Sequence, residues 1–261
     1  MEITSLQNER VKYLVRLRED RRQRRRDGLM LVEGRDEINL ALAAGHSPRT
    51  LIFCPDLAGR PLTVPETELL SVTVPVFDKI SYRDNPDGWM AVFPTPRRAL
   101  SDLLLGPAPL LIVAQSVEKP GNLGAVLRTA DAAGVNGVLV CDPRTDLYGP
   151  NVVRASRGAV FAVPLAEASS TEAFDFLKGR GIRILASTPS AMQSYTAEDM
   201  RGPMAIAVGT EDEGLTDFWL QRADARVLIP MVGKVNSLNV SIATALIVYE
   251  AVRQRGVTGG R

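Results

Sequence analysis

Short apolar runs alternate with stretches of helical spacing along the second half of the chain. Such alternation is typical of a parallel sheet covered by helices on both faces. The predicted strands are Leu110–Val117, Gly137–Cys141, Ala159–Leu165, Ile182–Thr188, Met204–Thr210 and Ala225–Pro230. The predicted helices are Leu123–Ala133, Asn151–Arg157, Glu172–Lys178, a short one near Asp217, and Leu238–Arg253. We therefore expect an α/β fold for this half.

The first hundred residues predict a smaller mixed α/β module. A basic helix comes first, followed by a strand at Leu29–Glu33 and a helix at Arg35–Ala44 that Gly45 closes. Further strands are predicted at Thr50–Cys54, Val72–Phe77 and Trp89–Val92. Prolines 94, 96, 107 and 109 then bracket a helical patch at Arg97–Leu105. The pattern predicts two domains, 1–106 and 107–261.

Composition excludes several classes of protein. Hydrophobic residues make up 45% and charged residues 23% of 261 residues, which is an average globular mix. The apolar stretch Leu103–Ala114 is interrupted by glycine and proline before it reaches the ~18 residues of a membrane span. The charged N-terminus lacks the apolar centre of a signal peptide, so a cytoplasmic location is expected. Cys54, Cys141 and His46 are isolated, so no metal site is predicted, although carboxylate-bound magnesium stays open.

Charge is unevenly distributed. The net charge is +1, yet residues 10–26 contain nine basic and two acidic residues, a local excess of +7 that leaves −6 for the remainder. Such a cluster is typical of a phosphate-binding surface, and a solvated helix face is an equally common explanation. The predicted RNA-binding residues here are Arg21, Arg22, Arg24, Arg25 and Arg26.

The common catalytic fingerprints are missing from the sequence. No G-x-G-x-x-G follows a strand, and no P-loop is present, which argues against dehydrogenases and P-loop enzymes. No G-x-S-x-G occurs, and a triad would depend on the single histidine, which argues against a serine hydrolase. The chemistry is instead expected in the loops that follow the strands.

Three polar loops follow predicted strands. The first contains Asn122, a candidate N-cap, and leads into a helix that carries Arg128. The second, Gly209–Leu215, contains Glu211, which an ordinary acidic turn also explains. The third precedes an almost wholly apolar helix, for which Ser237 is a candidate N-cap, and places the polar side chains of Asn239 and Ser241 in its first turns. Buried polar groups there need partners, and a ligand could supply them.

Together these loops resemble the three motifs of the SpoU/TrmH family, the RNA ribose 2′-O-methyltransferases of the SPOUT superfamily. The matching segments are Asn122–Ala130, Val208–Leu215 and Ile229–Ala243, in the family's order. The N-terminal module is similar to the family's ribosomal-protein-like RNA-binding domain, with Val32-Glu-Gly34 and Asn85–Val92 as weaker marks. The resemblance implies a parallel-sheet SPOUT domain with a C-terminal trefoil knot, which is a rare exception among folds.

The resemblance also implies an activity and its residues. The activity is methyl transfer from S-adenosylmethionine (AdoMet) to a ribose 2′-hydroxyl of structured RNA, with a homodimer that completes the site across its interface. The implied reacting cluster is Asn122, Arg128, Glu211, Ser237 and Asn239. The implied cofactor-binding residues are Thr188, Gly209, Ile229 and Leu238, and Arg144 and Arg154 are expected to face RNA.

Two of these roles have alternatives. By family analogy, Arg128 would remove the proton of the 2′-hydroxyl. A guanidinium stays protonated in proteins, so we expect instead that Arg128 binds an RNA phosphate and stabilises the negative charge that develops on the oxygen. Asn239 could be a helix cap. For the whole chain, ribosomal RNA is the first expectation and transfer RNA the second. A non-catalytic RNA-binding or ribosome-assembly protein on the same fold is the alternative of a different class.

Overall fold

A computed structural model describes residues 2–59 and 62–256. The chain forms two compact units, Met1–Arg97 with Asp146–Ala162, and Arg98–Thr145 with Val163–Arg261. No helix in the described ranges is long and apolar enough to span a bilayer.

The first unit is built on a five-stranded mixed sheet in the order β1-β4-β3-β5-β2. Strands β1, β4 and β3 are parallel, and β5 runs antiparallel to β3 and β2. The strands are β1 (Glu2–Ile3), β2 (Leu29–Glu33), β3 (Thr50–Phe53), β4 (Glu68–Val72) and β5 (Trp89–Pro94). The helices are α1 (Glu9–Glu19), α2 (Arg21–Asp27), α3 (Arg35–Ala43), α4 (Pro55–Ala58), α5 (Val74–Ile80), α7 (Pro150–Ser156) and α8 (Ala159–Ala162).

The second unit is a seven-stranded, wholly parallel sheet in the order β10-β12-β9-β11-β6-β7-β8. The strands are β6 (Leu110–Gln115), β7 (Gly137–Cys141), β8 (Leu165–Ala168), β9 (Arg183–Ser187), β10 (Gln193–Ser194), β11 (Met204–Val208) and β12 (Ala225–Leu228). The helices are α6 (Pro120–Ala132), α9 (Ser170–Lys178), α10 (Asp217–Arg222) and α11 (Val240–Gln254). The central strands β6, β7 and β11 are buried along their whole length, as their continuous apolar runs predict.

The predicted basic helix is two helices. It breaks at Asp20, whose side chain accepts a hydrogen bond from the backbone nitrogen of Arg22 at 2.7 Å and so caps α2. Helix α1 buries Val11, Leu14 and Leu17 against the sheet. The apolar stripe of this segment therefore belongs to α1, and the dense arginine run belongs to α2.

Three further predicted elements differ from the structure, and proline explains two of them. The predicted strand Val72–Phe77 is the end of β4 followed by α5, since Pro75 has no amide hydrogen for a sheet but fits the first turn of a helix. The predicted strand Ala159–Leu165 is mostly α8, and β8 begins just after Pro164. The helical patch near residue 100 is a single 3-10 turn, Leu100–Asp102.

The predicted boundary after residue 106 differs from the division of the compact units. The first unit ends at Arg97 and takes in Asp146–Ala162 from the second half of the chain. Helix α7 packs against β2, and α8 packs against α3. Gly158 lies so close to Leu40 that an added Cβ would be 2.9 Å from its side chain. Only such long-range packing assigns this segment to the first unit.

Candidate functional site

The polar loops of the second unit meet at one edge of its sheet. The neighbouring strands β12, β9, β11 and β6 are parallel, so their carboxyl ends lie at the same edge. The loops after β9, β11 and β12 and the first turn of α11 line a cavity of about 890 Å³. This volume lies in the range of small-molecule and cofactor sites.

The cavity wall contains all four residues that were predicted to bind the cofactor. Thr188 follows β9, Gly209 follows β11, Ile229 follows β12, and Leu238 precedes α11. Glu211 and Ser237, from the predicted reacting cluster, also line this cavity. The structure thus brings together segments that are spread over about fifty residues of the sequence.

The loop after β11 is a closed turn. The backbone nitrogens of Thr210 and Gly214 each donate to the other residue's carbonyl oxygen, at 3.0 and 3.1 Å. Gly214 has φ +71°, a conformation that favours glycine. A Cβ on Gly209 would lie 2.0 Å from the carbonyl oxygen of Gly214, so only glycine fits at the base of this turn.

Glu211 sits within this turn with an unsatisfied acceptor. Its Oε1 atom is buried and has no hydrogen-bond partner among the described residues. Because buried polar atoms are normally paired, this oxygen marks a place where a bound molecule can donate a hydrogen bond or carry positive charge.

Asn122 and Asn239 are in direct contact. The Asn239 Nδ2 group donates to Asn122 Oδ1 at 3.1 Å. Both predicted caps shift in position. Asn239 is the N-cap of α11 in place of Ser237, and α6 begins earlier than expected, with Lys119 as its N-cap and Pro120 in its first turn. Asn122 therefore lies inside the first turn of α6. Asn239 both caps α11 and contacts Asn122.

Arg128 makes no hydrogen bond to the other predicted cluster residues in the described ranges. It is exposed on α6, one and two-thirds turns beyond Asn122. It makes no hydrogen bond or ion pair within the part of the chain that the structure describes. Its guanidinium is therefore available to a ligand.

The predicted RNA-binding arginines of α2 differ in their surroundings. Arg22, Arg25 and Arg26 are exposed, and Arg21 is half-buried. Arg24 is 8% exposed. Its guanidinium donates to Asp146 Oδ2 at 2.7 and 2.9 Å and to the carbonyl oxygens of Leu17 and Arg18. The contacts of Arg24 are thus internal to the first unit. Its guanidinium is not exposed for binding RNA, unlike those of Arg22, Arg25 and Arg26.

The other two predicted RNA-binding arginines are exposed. Arg154 donates to the carbonyl oxygen of Tyr82 at 3.3 Å. Arg144 forms an ion pair with Glu118 in the loop after β6. The hydrogen bond to Glu118, followed by the charge of that carboxylate, raises the pKa of Arg144. Arg144 thus sits at the same carboxyl edge of the sheet as the cavity loops.

The sequence marked Ser241 as a polar group that needs a partner, but did not place it in the reacting cluster. Its hydroxyl and its backbone nitrogen both donate to Asn239 Oδ1, at 2.6 and 3.0 Å. The signal was its position two residues after an asparagine at a helix start, which is typical of an N-cap bond.

Comparisons with known proteins show the family to which the chain belongs. Residues 109–249 match the SpoU rRNA Methylase family model, and residues 8–91 match the MRM3-like substrate binding domain. A crystal structure of an RNA 2′-O ribose methyltransferase superposes with a TM-score of 0.86 at 43% identity, over 98% of this chain and 100% of that one. The AdoMet-bound rRNA methyltransferase from Sinorhizobium meliloti superposes with a TM-score of 0.87 at 30% identity, over 97% of both chains.

A further relative is similar in sequence to most of this chain. The 23S rRNA (uridine(2479)-2′-O)-methyltransferase of Streptomyces viridochromogenes is 31% identical over 90% of this chain and 86% of its own length. Fold, cavity and relatives together define an AdoMet-dependent RNA 2′-O-methyltransferase. The chain belongs to the SpoU rRNA Methylase family.

Proposed function

We propose that this protein methylates a ribose 2′-hydroxyl of ribosomal RNA with AdoMet as the methyl donor. The observation that carries the proposal is the cavity at the carboxyl edge of the parallel sheet, with Glu211 in its wall and the Asn122–Asn239 pair at the start of the adjoining helices. Two proteins similar over at least nine-tenths of this chain are named as rRNA methyltransferases, which favours ribosomal over transfer RNA.

The cavity suits the proposed donor in size and charge. Its volume of about 890 Å³ and the apolar side chains of Ile229 and Leu238 fit an adenosine group. The unpartnered oxygen of Glu211 fits a cationic ligand. When bound, AdoMet supplies an electrophilic methyl group on a sulfonium.

The chain's own residues then have to position the RNA. In-line attack requires the ribose oxygen to be held close to the methyl carbon, so orientation is the main contribution of the protein. Asn122 and Asn239 hold one another across the starts of α6 and α11. Arg128 binds an RNA phosphate and stabilises negative charge as it develops on the 2′-oxygen. Glu211 and Ser237 contribute polar groups at the cavity wall.

The function is tested with radiolabelled AdoMet and ribosomal RNA that lacks the modification. We expect label in the RNA, at a nucleotide whose ribose methylation is absent from cells that lack this protein. Methylation of transfer RNA alone would favour the second candidate substrate. A protein that fails to bind AdoMet in calorimetry would be the non-catalytic RNA-binding protein instead.

We propose that the exposed arginines of α2 bind RNA phosphates. Replacing Arg22, Arg25 and Arg26 with glutamine is expected to weaken RNA binding and to reduce the slope of log affinity against log salt by about 2 to 3, since each phosphate contact contributes about 0.9. The measurement is a filter-binding titration at several salt concentrations.

The control removes three exposed arginines from the second unit, Arg180, Arg222 and Arg226. Its salt slope should match that of the wild type. An equal drop in both variants would mean that overall charge, and not the α2 cluster, controls the affinity. An unchanged slope in the α2 variant would support the solvated helix face.

We also propose that the protein is a homodimer through α11. This helix exposes an apolar stripe of Ile242, Leu246 and Tyr249, which are 52%, 39% and 48% exposed and share one helix face. The double variant Ile242→Glu, Tyr249→Glu should sediment as a monomer, whereas the wild type sediments at twice the chain mass. Leu104→Glu, at a leucine that is 93% exposed elsewhere, should leave the dimer intact. A monomeric wild type would refute the proposal.

The trefoil knot remains a proposal of the same kind. Its support is the close attachment of the end of α11 to two separate segments. Gln254 donates to the carbonyl oxygen of Glu198 and accepts from the nitrogen of Met200. Arg255 donates to the carbonyl oxygens of Ala108 and Met200, and burial lowers its pKa. The division into an RNA-binding domain and a methyltransferase domain near residue 106, and the cytoplasmic location, also stay predictions.

A further inference from the structure

The two asparagines of the candidate site have a defined hydrogen-bond direction. A backbone N–H can only donate, and the backbone nitrogen of Ser241 points at the side chain of Asn239. The Asn239 atom that it meets must therefore be the carbonyl oxygen Oδ1. The amide nitrogen of Asn239 then faces Asn122, which must present its own Oδ1 as the acceptor.

With the hydrogen bonds in this direction, the Nδ2 group of Asn122 is a donor without an acceptor among the described residues. With Oδ1 of Asn122 already accepting a hydrogen bond, its Nδ2 group is the remaining polar end. Nδ2 is buried and has no partner among residues 2–59 and 62–256. An unpaired buried amide is costly, so this group is expected to find an acceptor oxygen when the site is filled.

The Ser241 hydroxyl strengthens this arrangement. It donates to Asn239 Oδ1 at 2.6 Å, in addition to the 3.0 Å bond from the backbone nitrogen of the same residue. Asn239 Oδ1 is thus held by two donors, and rotation of its amide would break both bonds. Residues on either side of Asn239, Leu238 and Val240, line the cavity.

We propose that Ser241 is a positioning residue for methyl transfer, and this proposal rests on the proposed function. Through Asn239, Ser241 holds Asn122 so that its Nδ2 group donates a hydrogen bond to an oxygen of the RNA at the reacting ribose. In this arrangement Asn122 is a donor and takes no proton from the 2′-hydroxyl. No bond to the cofactor is needed for the role of Ser241.

The test compares single-turnover methyl transfer at saturating AdoMet and RNA. Ser241→Ala keeps the backbone bond to Asn239 and removes the hydroxyl, so we expect the rate to fall about threefold to tenfold, the loss typical of one neutral hydrogen bond. Its AdoMet affinity should stay within twofold of the wild type. Ser241→Thr retains a hydroxyl and should restore the rate. Asn122→Asp replaces the donor by an acceptor and should cause a larger loss than Ser241→Ala.

Thr244→Val is the matched control on the same helix. The Thr244 hydroxyl is buried and donates to the carbonyl oxygen of Val240 at 2.7 Å, so its loss should lower the Tm without changing the rate. A wild-type rate in Ser241→Ala, or a loss that Ser241→Thr does not restore, would overturn the role of Ser241 and leave the function standing. A wild type that transfers no methyl group to RNA would remove the proposed function and this role with it.

Discussion

Replacing Arg128 with alanine is expected to lower methyl transfer by about 10² to 10³-fold, the loss typical when one group that stabilises developing negative charge is removed. The fold should be unaffected, because Arg128 is exposed and makes no hydrogen bond or ion pair with any described residue. We expect a change in the free energy of unfolding within about 0.5 kcal/mol and unchanged AdoMet affinity. The measurements are the single-turnover rate, thermal unfolding and calorimetry with AdoMet.

Two further variants make the result specific. Arg128→Lys keeps the charge but removes the planar fork of donors, so it should recover only part of the rate if bidentate binding matters. Arg226→Ala removes an exposed arginine from β12 and should behave as the wild type. If Arg128→Ala still labels RNA at the wild-type rate, Arg128 has no part in the reaction.

Replacing Gly209 with alanine is expected to weaken AdoMet binding. The new Cβ would lie 2.0 Å from the carbonyl oxygen and 2.1 Å from the carbonyl carbon of Gly214, both of them backbone atoms. Backbone cannot rotate away as a side chain can, so the turn that carries Glu211 has to open. We expect at least a tenfold weaker AdoMet affinity and a loss of about 1 to 3 kcal/mol in the free energy of unfolding.

Gly106→Ala is the control for this prediction. An added Cβ at Gly106 has no neighbour within 4 Å among the described residues, so stability and AdoMet affinity should be unchanged. The affinity is measured by calorimetry and the stability by urea unfolding. Wild-type AdoMet affinity in Gly209→Ala would show that the closed turn does not form part of the donor's site.

Much of the architecture follows from local pattern. The continuous apolar runs at Leu110, Gly137 and Met204 predict strands that the structure has within two residues of the expected ends. These runs contain β-branched residues and no proline, and loop residues bound them, which favours strands over helices. The predicted α/β fold with a parallel sheet is confirmed. The predictions failed where a short apolar run contained a proline, as at Pro75 and Pro164, because period alone cannot separate a strand from a helix over so few residues.

The candidate site, too, was predictable from the sequence only in part. Asn122, Glu211 and Asn239 stood out in the sequence because each lies in a polar segment after a strand. Their place in a reacting cluster came from the resemblance to the SpoU/TrmH motifs. The contact between Asn122 and Asn239, 117 positions apart, could not be derived from spacing. The same holds for Arg24, which has the sequence context of a phosphate ligand but is buried against Asp146.

The sequence by itself determined the class of fold, most elements of the second unit and two of the polar loops that line the cavity, because these depend on the local alternation of apolar and polar residues. The tertiary structure alone decided which atoms meet: the return of Asp146–Ala162 to the first unit, the clash that reserves position 209 for glycine, and the direction of the hydrogen bonds from Ser241 to Asn122. Each of these depends on distances between residues remote in sequence, and such distances are set only when the whole chain packs.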